Sequence, residues 1–81
     1  MASSRRLQAF QTAFGKALRR RRERLEVSQE ALAFTSEIHR TYISELERGL
    51  KNPSLTTIDR LAAALKTKAS TLIADAEAEL E

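Results

Sequence analysis

Residues 28–52, SQEALAFTSEIHRTYISELERGLKN, specify two short helices joined by a tight turn. Ser28 is a good N-cap, able to accept a backbone N–H of the first turn through its side chain. Glu30 follows where the helix dipole favours an acid. The first helix is expected to run to about residue 35, with Ala31, Leu32 and Phe34 available for packing. Thr35, Ser36 and Glu37 form the turn, and the second helix covers about 39–48, stopped by Gly49. Ile38, Ile43 and Leu46 give this segment an apolar side; His39, Arg40, Thr41, Ser44 and Glu45 give the second helix a polar one. A helix buried on one side and carrying varied hydrogen-bonding groups on the other is equipped to read base edges in a DNA major groove.

The rest of the chain is helical by the same reasoning. Two glycines, one proline and few β-branched runs point to an all-α fold. Leu7, Phe10, Phe14, Ala17 and Leu18 recur at helical spacing and predict a helix over 7–25. After a loop at 51–54, Ser54 caps a helix over 55–65 with Leu55, Ile58, Leu61, Ala62 and Leu65 on one stripe. Leu72, Ile73, Ala76 and Leu80 mark a fifth helix over 69–79. No repeat or linker divides the chain, so residues 1–81 are expected to form one domain.

Charge is unevenly placed. The net charge is +3, but residues 1–51 carry +5 and residues 52–81 carry −2, so the front of the chain suits a polyanion. Arg19–Arg22 cannot all share one helix face, because each residue turns the direction by about 100°. They form either a phosphate-facing stripe or a solvated face with stems packed on the core. The absence of Cys excludes disulfides and thiolate metal sites, and a single His excludes a multi-histidine site. No metal or cofactor is expected. No apolar run approaches the roughly 20 residues of a membrane span, and the N-terminus lacks a secretory core; a cytoplasmic location is expected. Without clustered carboxylates or a Gly-rich loop, enzyme chemistry is not expected. With only Tyr42 and three Phe assigned to the core, no aromatic platform for RNA is expected either.

The combination SQEALA, an apolar Ile38 closing the turn, YISELERG and NPSLTTIDRLAAAL resembles the Cro/C1-type (XRE) helix-turn-helix family over residues 14–73. Length and plainness make it most similar to stand-alone controller proteins of restriction–modification systems. The resemblance implies a five-helix, lambda-repressor-like DNA-binding domain with the helix-turn-helix in helices 2 and 3. It assigns phosphate contacts to Ser28 and Gln29, and recognition-helix positions to His39, Arg40, Thr41, Ser44 and Glu45. It assigns flanking backbone contacts to Tyr42, Lys51 and Asn52, and a structural ion pair to Arg22 and Glu47. Glu26, Glu37 and Lys66 stand where the family often has Gly, which implies strained or altered turns. Arg21 stands where an apolar residue is usual, and His39 replaces a better N-cap.

Each position keeps an alternative. Arg40 can read guanine bidentately or clamp a phosphate. Glu45 can accept from cytosine or pair with Arg40 or Arg48. Thr41 and Ser44 suit close approach to a base or are plain surface residues. His39 caps helix 3, touches a phosphate or is merely exposed. Tyr42 packs on the core or contacts phosphate, and Lys51 and Asn52 contact phosphate or only solvate a loop.

One recognition helix reads few base pairs, and a two-fold dimer reads two half-sites about 34 Å apart. Leu55, Ile58, Leu72, Ile73 and Ala76 are the expected homodimer interface, helped by Leu80; the alternative is that helix 5 closes the monomer core. The expected function is a transcriptional regulator, repressor or activator, that binds a palindromic operator on double-stranded DNA. RNA polymerase is a candidate partner for an exposed acid such as Glu37 or Glu45. The alternative function is an antitoxin-type interaction module that autoregulates its operon.

Overall fold

The structure is a computed structural model that describes residues 2–80, with side chains described from Arg5 onward. Met1 and Glu81, the end of the acidic tail, lie outside the described residues. Five helices follow one another: α1 (Ala2–Arg24), α2 (Gln29–Ser36), α3 (Arg40–Glu47), α4 (Leu55–Ala64) and α5 (Ala69–Glu79). No strand occurs among the described residues, and no helix there is long and apolar enough to cross a membrane.

Two boundaries differ from expectation. Helix α1 begins at Ala2 rather than near residue 7, because Arg5, Arg6, Leu7 and Gln8 are good helix formers and nothing before Gly15 interrupts them. Thr35 and Ser36 stay in α2, and the turn falls at 37–39. Ser36 is buried, and its Oγ donates to the Leu32 carbonyl at 2.6 Å, which satisfies a hydroxyl that would otherwise be costly inside.

The core gathers Leu18 from α1, Leu32 from α2, Ile43 and Leu46 from α3, Leu61 from α4, Leu65 just beyond it, and Leu72 from α5, all fully buried. The most extensive packing is between α1 and α5. Helix α5 therefore closes the monomer core: Leu72 and Ala76 are 0% exposed and Ile58 is 7% exposed. Leu72 and Ala76, expected at a dimer interface, are core residues instead, enclosed within the single chain, and Ile58 packs into the same core. Ile73 is half-buried against the core, and only Leu55 of that set is fully on the surface, at 84% exposure.

Phe34 is the other correction. It was expected to pack, yet it is 87% exposed. Leu32 and Ser36 define the buried face of α2, and residue 34 lies about 200° around the helix from each. Ala31 is exposed as well.

Four helices close in the same way. A residue in the left-handed region follows the helix, and the next N–H donates to the carbonyl five residues back: Val27 to Arg22, Ile38 to Ala33, Leu50 to Glu45 and Thr67 to Ala62, at 2.9–3.1 Å. The left-handed residues are Glu26 (φ 57°), Glu37 (φ 59°), Gly49 (φ 76°) and Lys66 (φ 59°). Only Gly49 holds this conformation without a Cβ penalty. The turns thus keep the left-handed geometry that Gly favours, with strain at three side chains.

Candidate nucleic-acid interface

Helix α3 has the two-sided character that groove reading requires. Ile43 and Leu46 are 0% and 1% exposed, while Arg40 and Thr41 are exposed and Ser44 and Glu45 are half-buried. None of these four polar side chains makes an ion pair or side-chain hydrogen bond among the described residues. Their donors and acceptors are therefore available to a ligand. For Glu45, no ion pair to Arg40 or Arg48 is formed among the described residues. His39 is the N-cap residue of α3 but makes no side-chain cap hydrogen bond, so it is exposed with its ring unengaged by the helix. Tyr42 is half-buried against the core, and Lys51 and Asn52 are exposed in the loop after α3.

The pose of α3 is set by one carboxylate. Arg22 donates from Nε to Glu47 Oε2 at 2.6 Å and from Nη2 to Oε1 at 3.0 Å. Its Nη1 donates to the Val27 carbonyl at 2.9 Å, and Gln29 Nε2 donates to Glu47 Oε1 at 2.9 Å. The ends of α1 and α3 and the start of α2 thus meet on a side chain only 4% exposed. The bidentate hydrogen bond from Arg22 to Glu47 raises the guanidinium pKa above its ordinary value; burial opposes this, and the charges of Glu47 and Glu23 add to it. The side-chain amide of Gln29 is engaged with Glu47, so what it offers an anion is its backbone N–H at the α2 start. Ser28 Oγ accepts from the Ala31 N–H at 3.0 Å, which orders that helix end and leaves the hydroxyl proton free to donate.

Every residue of the arginine run meets an acid, with Arg19 and Arg20 on a solvated face, 63% and 68% exposed, and Arg21 and Arg22 turned inward. Arg19 pairs with Glu23 at 3.0 Å, Arg20 with Glu79 at 2.6 Å, Arg21 with Asp75 at 3.0 Å and Arg22 with Glu47. Consecutive residues point in different directions, and each meets its own acid. Arg21, which stands where an apolar residue is usual in the family that the sequence resembles, joins α1 to α5.

Gly15 is the residue that sequence reasoning missed. A Cβ there would lie 2.7 Å from the Glu47 carbonyl oxygen and closer still to that of Leu46. Its signal was available: a glycine inside an otherwise continuous helical pattern marks a close backbone approach. Among the described residues, no group of His, Cys, Asp or Glu is placed to hold a metal ion.

Comparisons with known proteins agree with this geometry. A helix-turn-helix family model matches residues 18–72. The control protein C.BamHI of Bacillus amyloliquefaciens is 43% identical over 61 residues, which is 74% of this chain and 75% of that protein. The crystal structure of the restriction–modification controller protein C.AhdI from Aeromonas hydrophila superposes with a TM-score of 0.75 at 42% identity, covering 76% of this chain and 94% of that one. The clp gene regulator ClgR from Corynebacterium glutamicum superposes with a TM-score of 0.84 at 31% identity, covering 88% of this chain and 76% of that one. A two-helix unit built around Ile38, Ile43 and Leu46, in a chain that matches these regulators over most of its length, belongs to the helix-turn-helix family of DNA-binding transcriptional regulators.

Proposed function

We propose that this protein is a controller of a restriction–modification operon that binds a palindromic operator as a homodimer, with α3 in the major groove. The carrying observation is the outer face of α3. Arg40, Thr41, Ser44 and Glu45 are held in place by a clamped, buried back face and have no partner of their own among the described residues. Arg40 is the reader, through two hydrogen bonds to guanine O6 and N7, and Glu45 accepts from cytosine N4. Thr41 and Ser44 allow close approach, and His39 touches the adjacent backbone. Ser28, the backbone N–H of Gln29, Lys51 and Asn52 hold phosphates on either side of the groove, with the Tyr42 hydroxyl assisting. The homodimer uses what stays accessible on α4 and α5, Leu55 and Ile73. The control-protein relatives support the operon assignment. RNA polymerase is the proposed partner for activation, met by the exposed acid Glu37.

Selection of bound sequences from a random duplex library tests this. The expected result is a two-fold symmetric site, with Arg40→Ala relaxing preference at one base pair per half-site by about 1–3 kcal/mol. Enrichment of no sequence, with only salt-sensitive general binding, would overturn it.

A further inference from the structure

The N-terminal half of α1 carries a polar stripe outside the segment that the family model matches, which begins at residue 18. Arg5, Gln8, Thr12 and Lys16 recur at i, i+3, i+7 and i+11, so they share one helix face, and all four are exposed. They line an open groove with the small Ala9 and Ala13. Two observations give this face a direction and a charge.

The first is its position. Gly49 lies against Thr12: a Cβ on Gly49 would be 2.9 Å from the Thr12 Cα. Gly49 opens the loop that carries Lys51 and Asn52. The stripe is therefore continuous with the loop at one rim of the α3 face. From Arg5 to Lys16 it is about 16 Å long, while charges recur about every 3.4 Å along the axis of a DNA strand.

The second is its charge. Residues 1–22 contain no Asp or Glu. Arg19–Arg22 are each neutralised by an acid, and Glu79, the acid that lines the groove beside the stripe, is held by Arg20 at 2.6 Å. Arg5 and Lys16 make no ion pair among the described residues. A face with two unengaged cations, an amide and a hydroxyl, and no free acid among the described residues, suits a run of phosphates.

We infer that the stripe Arg5–Gln8–Thr12–Lys16 is a second phosphate-binding surface, seated on the DNA backbone beyond the phosphates held by the loop. This rests on the DNA-binding reading of α3. It adds affinity and registration without adding base readout.

The test measures binding of R5Q/K16Q and of R6Q against wild type, across a salt series. The probes are the library-selected site and a mixed-sequence duplex of the same length, both extending past the two half-sites. Arg6 is exposed beside Arg5 but lies about 100° around the helix, off the stripe, so R6Q is a charge control. The expected result is that R5Q/K16Q lowers the slope of log K against log salt by about 0.9 per lost contact, equally on both probes, and weakens binding about tenfold or more at 0.1 M salt. R6Q is expected to leave the slope unchanged. An unaltered slope for R5Q/K16Q overturns the inference, as does an equal fall per charge for R6Q, which would make the effect general attraction. Weaker self-association in sedimentation with an unaltered slope also overturns it, because the partner is then an acidic segment of a second copy. If wild type enriches no sequence, the α3 reading fails, and the mixed-sequence slopes still decide the stripe.

Discussion

Gly15 of α1 and Glu47 of α3 approach backbone to backbone, so closely that a single methyl group on Gly15 would lie 2.7 Å from the Glu47 carbonyl oxygen. The atoms it would strike belong to the end of the recognition helix and are main chain, so they cannot swing aside. Gly15→Ala is therefore expected to destabilise the fold by about 2–3 kcal/mol, despite the better helix propensity of Ala. Urea unfolding checks this. A loss below about 1 kcal/mol would show that α3 can move away freely.

The same end of α3 depends on the Arg22–Glu47 pair. Glu47→Ala leaves Arg22 and the Gln29 amide without their acceptor in a site where Arg22 is 12% exposed, and is expected to cost about 3 kcal/mol. Replacing both partners by apolar residues, Arg22→Met with Glu47→Leu, is expected to recover most of that stability but not the DNA affinity, because α3 loses its directional hold. A double-mutant cycle in urea, with DNA titration of each variant, separates the two effects.

The pH dependence of Arg22 has a definite sign. Its folded pKa is raised above the unfolded value, so the stability from this shift is fully present below the ordinary arginine range and is lost only as pH rises through the folded pKa. The cost of Arg22→Met should therefore be the same at pH 7 and pH 10, measured by chemical denaturation at both. A cost that fades by pH 10 would contradict the raised pKa.

Three left-handed cap residues predict gains in stability. Glu26, Glu37 and Lys66 hold φ near 57–59° at helix ends where Gly would carry no Cβ penalty. Offsetting about 1–2 kcal/mol of strain against the extra chain entropy of Gly, each replacement by Gly is expected to stabilise by about 0.5–1 kcal/mol. The mirror substitution, Gly49→Ala, is expected to destabilise, since it adds the same strain and presses on Thr12. Thermal unfolding of the four single variants orders them.

Much of this architecture was legible in the sequence because period and punctuation agree. Ser28 and Ser54 cap the helices they precede, and the apolar spacing of α3 and α4 gives their buried faces. What was not legible depends on how helices cross. Leu72 and Ala76 could have faced a second copy or the monomer, and periodicity on α5 alone does not choose between them. The partners of Arg19–Arg22 lie on α1 itself, α3 and α5, up to 59 residues away, so no local pattern reveals that the run is internally neutralised. The three non-glycine caps were visible only as departures, and their strain appears once φ is known.

Phe34 separates apolar character from burial. It is 87% exposed on the face of α2 opposite Leu32, which is 1% exposed. A side chain that removes little apolar surface from water contributes little to folding. Phe34→Ser is therefore expected to change stability by less than about 0.5 kcal/mol, as for other surface substitutions. Leu32→Ala, two positions away, empties a core site and is expected to cost about 3 kcal/mol. Urea unfolding of both variants, at concentrations where sedimentation shows monomer, decides the matter. A large loss for Phe34→Ser under those conditions would mean that the ring packs within the chain and that α2 is rotated from the orientation described.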